Sequence, residues 1–121
     1  MIAGKAKTAG LYPPWKAWCD WAIRTLEDAG IEGTVTSGVR STEKQQQLYE
    51  AYITGRSSII AAPPGRSSHE YGLAIDFVVS AGKDSQLQKQ VMAAFEYWGG
   101  ELVAGDPVHV QYPGYRQFLG G

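Results

Sequence analysis

Two histidines and an aspartate stand where strand alternation could bring their side chains to one face of a sheet. His69 and His109 are the only histidines, and Asp76 lies within the short apolar run 73–79. Successive side chains of a strand point to opposite faces, so Asp76 faces away from Ile75 and Phe77. A carboxylate in an apolar strand is costly unless it is paired or bound to metal. Two imidazoles and a carboxylate predict a three-ligand zinc site with one position left for water.

A zinc hydrolase also needs a general base and a cation for the developing oxyanion. Asp106 precedes Pro107 in a turn that leads into the strand of His109, so it can lie near the metal without being a ligand. Arg40 ends the turn Ser37-Gly38-Val39-Arg40, between a predicted strand and a predicted helix. We expect Asp106 to act as the base and Arg40 to face the scissile carbonyl.

Each of these residues also has an ordinary structural interpretation. Asp76 could cap a turn or pair with an arginine, Arg40 could be a surface residue, and aspartate before proline is a common turn pair. Glu70 and Glu101 are alternative bases, although Glu70 directly follows a proposed ligand.

Three helices and four strands must position these groups. Apolar spacing predicts a helix from Pro13-Pro14 to Gly30, another from Ser41 or Thr42 to Gly55, and a third from Asp84 or Ser85 to Gly99. The strands are expected at 34–36, 73–79, 101–103 and 108–112. Short connections near the C-terminus favour an α+β domain with a small, mostly antiparallel sheet flanked by helices.

Composition excludes several classes of protein. A chain of 121 residues fits one domain, so we expect residues 1–121 to form a single catalytic unit. Its net charge of −1 gives no basic surface for nucleic acid. The chain has no run that predicts membrane insertion and no signal-peptide pattern. Cys19 is the only cysteine, which excludes a disulfide framework and a cysteine-rich metal site.

Around these residues the sequence resembles a family of zinc peptidases that cut bacterial cell-wall peptides. The stretch Ser67-x-His69-x-x-Gly72-x-Ala74-x-Asp76 matches the family signature S-x-H-x-x-G-x-A-x-D. The family comprises D-alanyl-D-alanine carboxypeptidases and dipeptidases of the vancomycin-resistance type and L-alanyl-D-glutamate endopeptidases of phage endolysins. The upstream arginine turn and the downstream Asp-x-x-His follow in the family's order.

The resemblance implies roles for single residues. It makes His69, Asp76 and His109 the ligands of Zn²⁺, and it implies the hedgehog and DD-peptidase type of fold. Asp106 takes the place of the catalytic acid/base, and Arg40 takes the place of the arginine that holds substrate. Ser67 falls at a serine that lines the substrate pocket.

Only a few positions indicate which branch of the family the chain resembles. Aspartate at the base position is more similar to the endolysin branch, whereas the carboxypeptidase branch usually has glutamate there. The chain departs from the family at Val110 and Gln111, where an aromatic and an acidic residue are common. A further departure is Glu101-Leu102, where an aromatic residue is usual.

We therefore expect a monomeric zinc peptidase that cleaves the L-Ala–D-Glu bond of the peptidoglycan stem peptide. Made in the cytoplasm without a signal peptide, it would reach the cell wall through holin-type membrane holes or as part of a virion. The alternatives are a D-Ala-D-Ala carboxypeptidase and a non-catalytic, zinc-bearing wall-binding or virion module.

Overall fold

Within the residues that the structure describes, three helices and five strands form an α+β structure. The structure is a computed structural model that describes residues 1–115. The strands are β1 (Ile2–Ala3), β2 (Gly33–Ser37), β3 (Ala74–Val79), β4 (Glu101–Leu102) and β5 (His109–Gln111). The helices are α1 (Pro13–Asp28), α2 (Thr42–Ile53) and α3 (Gln86–Tyr97). Short 3-10 helices cover Lys5–Thr8 and Ser68–Tyr71.

The strands form one sheet in the order β1-β2-β3-β5-β4. Only β1 and β2 run parallel among the described strands, so the prediction of a mostly antiparallel sheet is confirmed. The sequence pattern missed β1, because a two-residue strand is too short to show alternation.

The helix limits follow from local chemistry. Prolines occupy the first two positions of α1, where a missing backbone N–H costs nothing. The hydroxyls of Ser41 and Ser85 accept hydrogen bonds from the N–H groups of Lys44 and Gln88 and cap α2 and α3.

The core lies between one face of the sheet and the helices α1 and α3. Trp15, Cys19, Ile23 and Leu26 of α1 pack with residues of β2, β3, β5 and α3 in one apolar cluster. None of the described α2 residues belongs to that cluster, and the only buried residue of α2 is Gln45. Tyr52, which shares a helix face with Gln45, is 37% exposed.

No described helix is both long enough and apolar enough to cross a membrane.

Glu27 attaches the N-terminal segment to α1, and this contact predicts a pH dependence. Its carboxylate accepts hydrogen bonds from the Ile2 N–H at 2.9 Å and from the Lys5 ammonium at 3.0 Å. These bonds lower the pKa of Glu27 below its ordinary value. A carboxylate whose pKa is lowered by folding stabilises the protein above its unfolded-state pKa, and the stabilisation is lost as pH falls through the folded-state pKa.

We expect Glu27→Gln to be less stable than the wild type at pH 7, with a difference that shrinks as the pH falls below about 4. Urea unfolding of both proteins across this range measures the difference. The control is Glu96→Gln, the same change at an exposed position of α3. Its stability difference from the wild type should stay near zero. A Glu27→Gln difference that does not change with pH would contradict the contact.

Candidate metal centre

Strand register brings Asp76 and His109 face to face. β3 and β5 are antiparallel, and Asp76 lies directly opposite His109. On the other side of β3, an irregularity in β2 between Val35 and Ser37 places Ser37 opposite Asp76. Without this bulge, the register would put Thr36 there. Ser37, Asp76 and His109 thus form a row across the sheet.

The second histidine comes from the 3-10 helix Ser68–Tyr71, above that row. The Ser67 hydroxyl accepts a hydrogen bond from the His69 N–H at 3.3 Å, and the Glu70 carboxylate accepts one from the Ser67 N–H at 3.2 Å. This capping box fixes the start of the turn. Gly72 ends it with a φ of 68°, a left-handed conformation that favours glycine. The glycine of the sequence signature therefore turns the chain from His69 into β3.

Three ligand atoms converge on one point. His69 Nε2 lies 3.1 Å from Asp76 Oδ1, and His109 Nδ1 lies 3.2 Å from the same oxygen. All three ligand atoms lie within 4.8 Å of one another. The structure thus brings together the three residues that the sequence predicts as metal ligands.

The hydrogen bonds of the other two ring nitrogens, His69 Nδ1 and His109 Nε2, indicate which nitrogen of each histidine carries the proton. His69 Nδ1 lies 2.8 Å from the Gly38 carbonyl, which can only accept, so Nδ1 carries the proton. His109 Nε2 lies 2.7 Å from the amide oxygen of Gln111 and is protonated for the same reason. Neutral rings then direct two nitrogen lone pairs at the Asp76 carboxylate. Three hydrogen-bond acceptors that converge without a hydrogen-bond donor require a cation or extra protons. Two imidazole nitrogens and a carboxylate oxygen are ligands that fit a divalent metal.

The pKa shifts of Asp76 and His109 also indicate that positive charge is favourable at this centre. Burial alone would raise the pKa of Asp76, but hydrogen bonds to His109 and His69 outweigh it and hold that pKa well below its ordinary range. Burial would lower the pKa of His109, but its bonds to Asp76 and Gln111 and the charges of Asp76 and Asp106 raise it. A raised pKa of His109 beside an Asp76 that stays ionised fits a centre where positive charge is favourable.

Arg40 is fixed beside the cluster and is not a surface residue. Its guanidinium is 17% exposed and donates to Ser37 Oγ at 2.9 Å and to the Gln45 amide oxygen at 3.0 Å. It lies 3.9 Å from Asp76 Oδ2. Burial lowers the pKa of Arg40 and the neighbouring carboxylates partly offset this, yet a guanidinium stays charged. A fixed positive charge therefore lies next to the metal-competent atoms.

Asp106 lies in an exposed turn at the edge of the site. Its Oδ1 accepts a hydrogen bond from the Val108 N–H at 3.4 Å, so it does form the turn contact that its sequence suggested. The buried amide of Gln88 donates to the Pro107 carbonyl at 3.0 Å and ties this turn to α3. The negative charge of Asp106 reaches both His109 and Arg40. The carboxylate also borders a groove of about 620 Å³ that runs along α3.

The alternative bases have other contacts. Glu70 accepts hydrogen bonds from the backbone N–H groups of Gly65 and Ser67. Glu101 accepts one from the side-chain amide of Gln111 at 2.6 Å. Both carboxylates are thus used to hold structure around the histidines.

The groups that orient the site residues were not predicted from the sequence. These are Ser37, the Gly38 carbonyl, Gln45 and Gln111. Only Gln111 gave a signal, because it lies two residues after His109 and so shares its strand face.

Comparisons with known proteins show which family the chain is similar to. A family model described as VanY, D-alanyl-D-alanine carboxypeptidase, matches residues 21–101. This range includes His69 and Asp76 and ends before Asp106 and His109. The peptidoglycan L-alanyl-D-glutamate endopeptidase CwlK of Bacillus subtilis is 37% identical over 70 residues, which are 57% of this chain and 42% of CwlK. The match therefore spans less than half the length of this relative.

Solved structures share the fold. The L-Ala D-Glu endopeptidase ChiX of Serratia marcescens is 21% identical with a TM-score of 0.68, over 98% of this chain and 94% of ChiX. A Zn(II) complex of the vancomycin resistance D,D-pentapeptidase VanY is 20% identical with a TM-score of 0.60, over 92% of this chain and 79% of that one. At these identities the likeness establishes the fold.

If the three converging atoms hold zinc, removing one of them should abolish tight binding. We expect His69→Ala to weaken zinc binding at least about 100-fold, because two ligands cannot complete the site. Competition with a chromophoric chelator measures the affinity. Thr36→Ala, an exposed position on β2, is the control. Unchanged zinc affinity in His69→Ala would show that the metal lies elsewhere.

Proposed function

Because the chain belongs to the VanY family of D-alanyl-D-alanine carboxypeptidases, we propose that it is a zinc-dependent peptidase that hydrolyses an amide bond of the peptidoglycan stem peptide. The observation that carries the proposal is the convergence of His69, Asp76 and His109, with both imidazole lone pairs directed at one carboxylate oxygen. The guanidinium of Arg40 beside this cluster adds the cation that amide hydrolysis needs.

The proposed ligands are His69 through Nε2, His109 through Nδ1, and the Asp76 carboxylate. Zinc bound there would polarise the scissile carbonyl and lower the pKa of a bound water to about 7. Asp106 would accept the proton of the attacking water and return it to the leaving amine. Its exposed turn leaves the carboxylate open to a bound peptide.

The other side chains hold the substrate. Arg40 would face the oxygen of the scissile carbonyl or a substrate carboxylate. A guanidinium has five donors, and those not directed at Ser37 and Gln45 are available to substrate. We also propose that Ser67 contacts the peptide, because a hydroxyl that accepts one hydrogen bond can still donate its proton.

The bond that we propose is the one between L-Ala and D-Glu. Aspartate at the base position supports this choice, as does the 37% identity to CwlK, whose name states that activity. The second candidate is a D-Ala-D-Ala carboxypeptidase, which the description of the matching family model favours. For either bond, the proposed place of action is the bacterial cell wall.

Mass spectrometry of digested peptidoglycan tests the proposal. Purified protein is incubated with walls of several chemotypes, with and without a zinc chelator. Chelator-sensitive release of stem peptides that begin with D-Glu would support the endopeptidase. Release of free D-Ala would support the carboxypeptidase. The absence of any product from zinc-loaded protein would contradict both enzymes and leave the wall-binding module.

Asp106→Ala separates catalysis from metal binding. We expect zinc affinity within about threefold of the wild type and turnover lower by about 10²–10⁴-fold, the usual contribution of a general acid/base. Rates come from the same digest, and affinity comes from chelator competition. Asp84→Ala removes another exposed carboxylate at the same groove and should keep full activity. Full activity in Asp106→Ala would mean that another group is the base.

A further inference from the structure

A pair of polar side chains lies behind His109, on the side away from Asp76. We infer that Glu101 and Gln111 form a positioning relay that fixes the proton of His109 on Nε2 and directs Nδ1 at the metal. The inference rests on the proposed metal site, but it does not depend on which peptide bond is cut.

The relay begins at the carboxylate of Glu101, which can only accept hydrogen bonds. The Gln111 amide NH₂ donates to Glu101 Oε1 at 2.6 Å. This bond settles the orientation of the amide, because the opposite orientation would place the amide oxygen against the carboxylate. The Gln111 oxygen therefore points the other way, to His109.

The amide oxygen of Gln111 then determines the tautomer of the His109 ring. It lies 2.7 Å from His109 Nε2 and accepts the proton there. With Nε2 protonated, the lone pair of a neutral imidazole is on Nδ1, which lies 3.2 Å from Asp76 Oδ1. Without Glu101, the amide could rotate and offer its NH₂ to Nε2, and the lone pair would then point away from the ligand cluster.

Backbone pairing and burial support the relay. Glu101 and Gln111 are opposite residues of β4 and β5, so the sheet sets their separation. Gln111 is 2% exposed, and a buried amide without partners would be destabilising. The Ser68 hydroxyl also donates to the Gln111 oxygen, at 3.2 Å, which reinforces the same orientation. The Gln at position 111 and the Glu at position 101 therefore act as one unit.

Four variants test the relay through zinc affinity. Gln111→Leu removes the nearer acceptor of His109 Nε2, leaving the Ser68 hydroxyl at 3.3 Å, and should weaken zinc binding by about 10–100-fold, the usual effect of losing such a partner. Glu101→Ala keeps the amide but frees its rotation and should weaken binding about tenfold. The double variant Glu101→Gln with Gln111→Glu exchanges the two groups at constant net charge and should stay within about threefold of the wild type. Glu96→Gln on the exposed side of α3 is the charge control.

A second readout separates positioning from a merely structural role. In zinc-loaded protein labelled with ¹⁵N-histidine, the His109 Nε2–H proton should give a slowly exchanging signal. That signal should be lost in Gln111→Leu, broadened in Glu101→Ala and restored in the exchanged pair. Circular dichroism confirms that each variant is folded.

The outcomes are distinct. Wild-type zinc affinity and an unchanged Nε2–H signal in folded Glu101→Ala and Gln111→Leu would overturn the relay, as would a folded exchanged pair that binds zinc as weakly as the single variants. Weakened zinc binding in a protein that cuts no peptidoglycan would support the relay and contradict the proposed function.

Discussion

The site depends on a single carboxylate oxygen, Asp76 Oδ1, which two imidazoles share at the centre of the sheet. The other oxygen of the same carboxylate lies 3.9 Å from the Arg40 guanidinium. An ionised carboxylate in this setting needs positive charge, because burial alone raises its pKa and favours its neutral form. The register between β3 and β5, the bulge in β2 and the capped turn of His69 all bring neighbouring groups to this carboxylate.

Three buried glutamines support this arrangement in the same way. Gln45 joins the Arg40 guanidinium to the Ala62 carbonyl, and Gln88 joins the turn of Asp106 to β3 and α3. Gln111 joins His109 to Glu101. A glutamine amide both donates and accepts, so it can fix a charged side chain at one end and structure at the other without adding charge. Arg40, the turn of Asp106 and His109 thus each have a neutral support that does not compete for the metal.

The fold also explains why α2 is not a core helix. Its single buried side chain, Gln45, points to Arg40, and none of its residues joins the apolar cluster. The apolar pattern of α2 resembles that of a core helix because aromatic residues recur at helical spacing. Spacing reports which residues share a face, but it does not report whether that face meets the core.

The sequence by itself determined the three helices, four of the five described strands and the candidate ligands. Caps, prolines and glycines act on neighbouring residues, and alternation put Asp76 and His109 on the faces opposite their bulky neighbours. Only the tertiary structure decided the pairing of Ser37 with Asp76, the protonated nitrogen of each histidine and the contacts of Glu70 and Glu101. These features depend on strand register and hydrogen-bond direction between residues far apart in the chain. Local spacing carries no information about either, since a shift of one residue in register would exchange the partners.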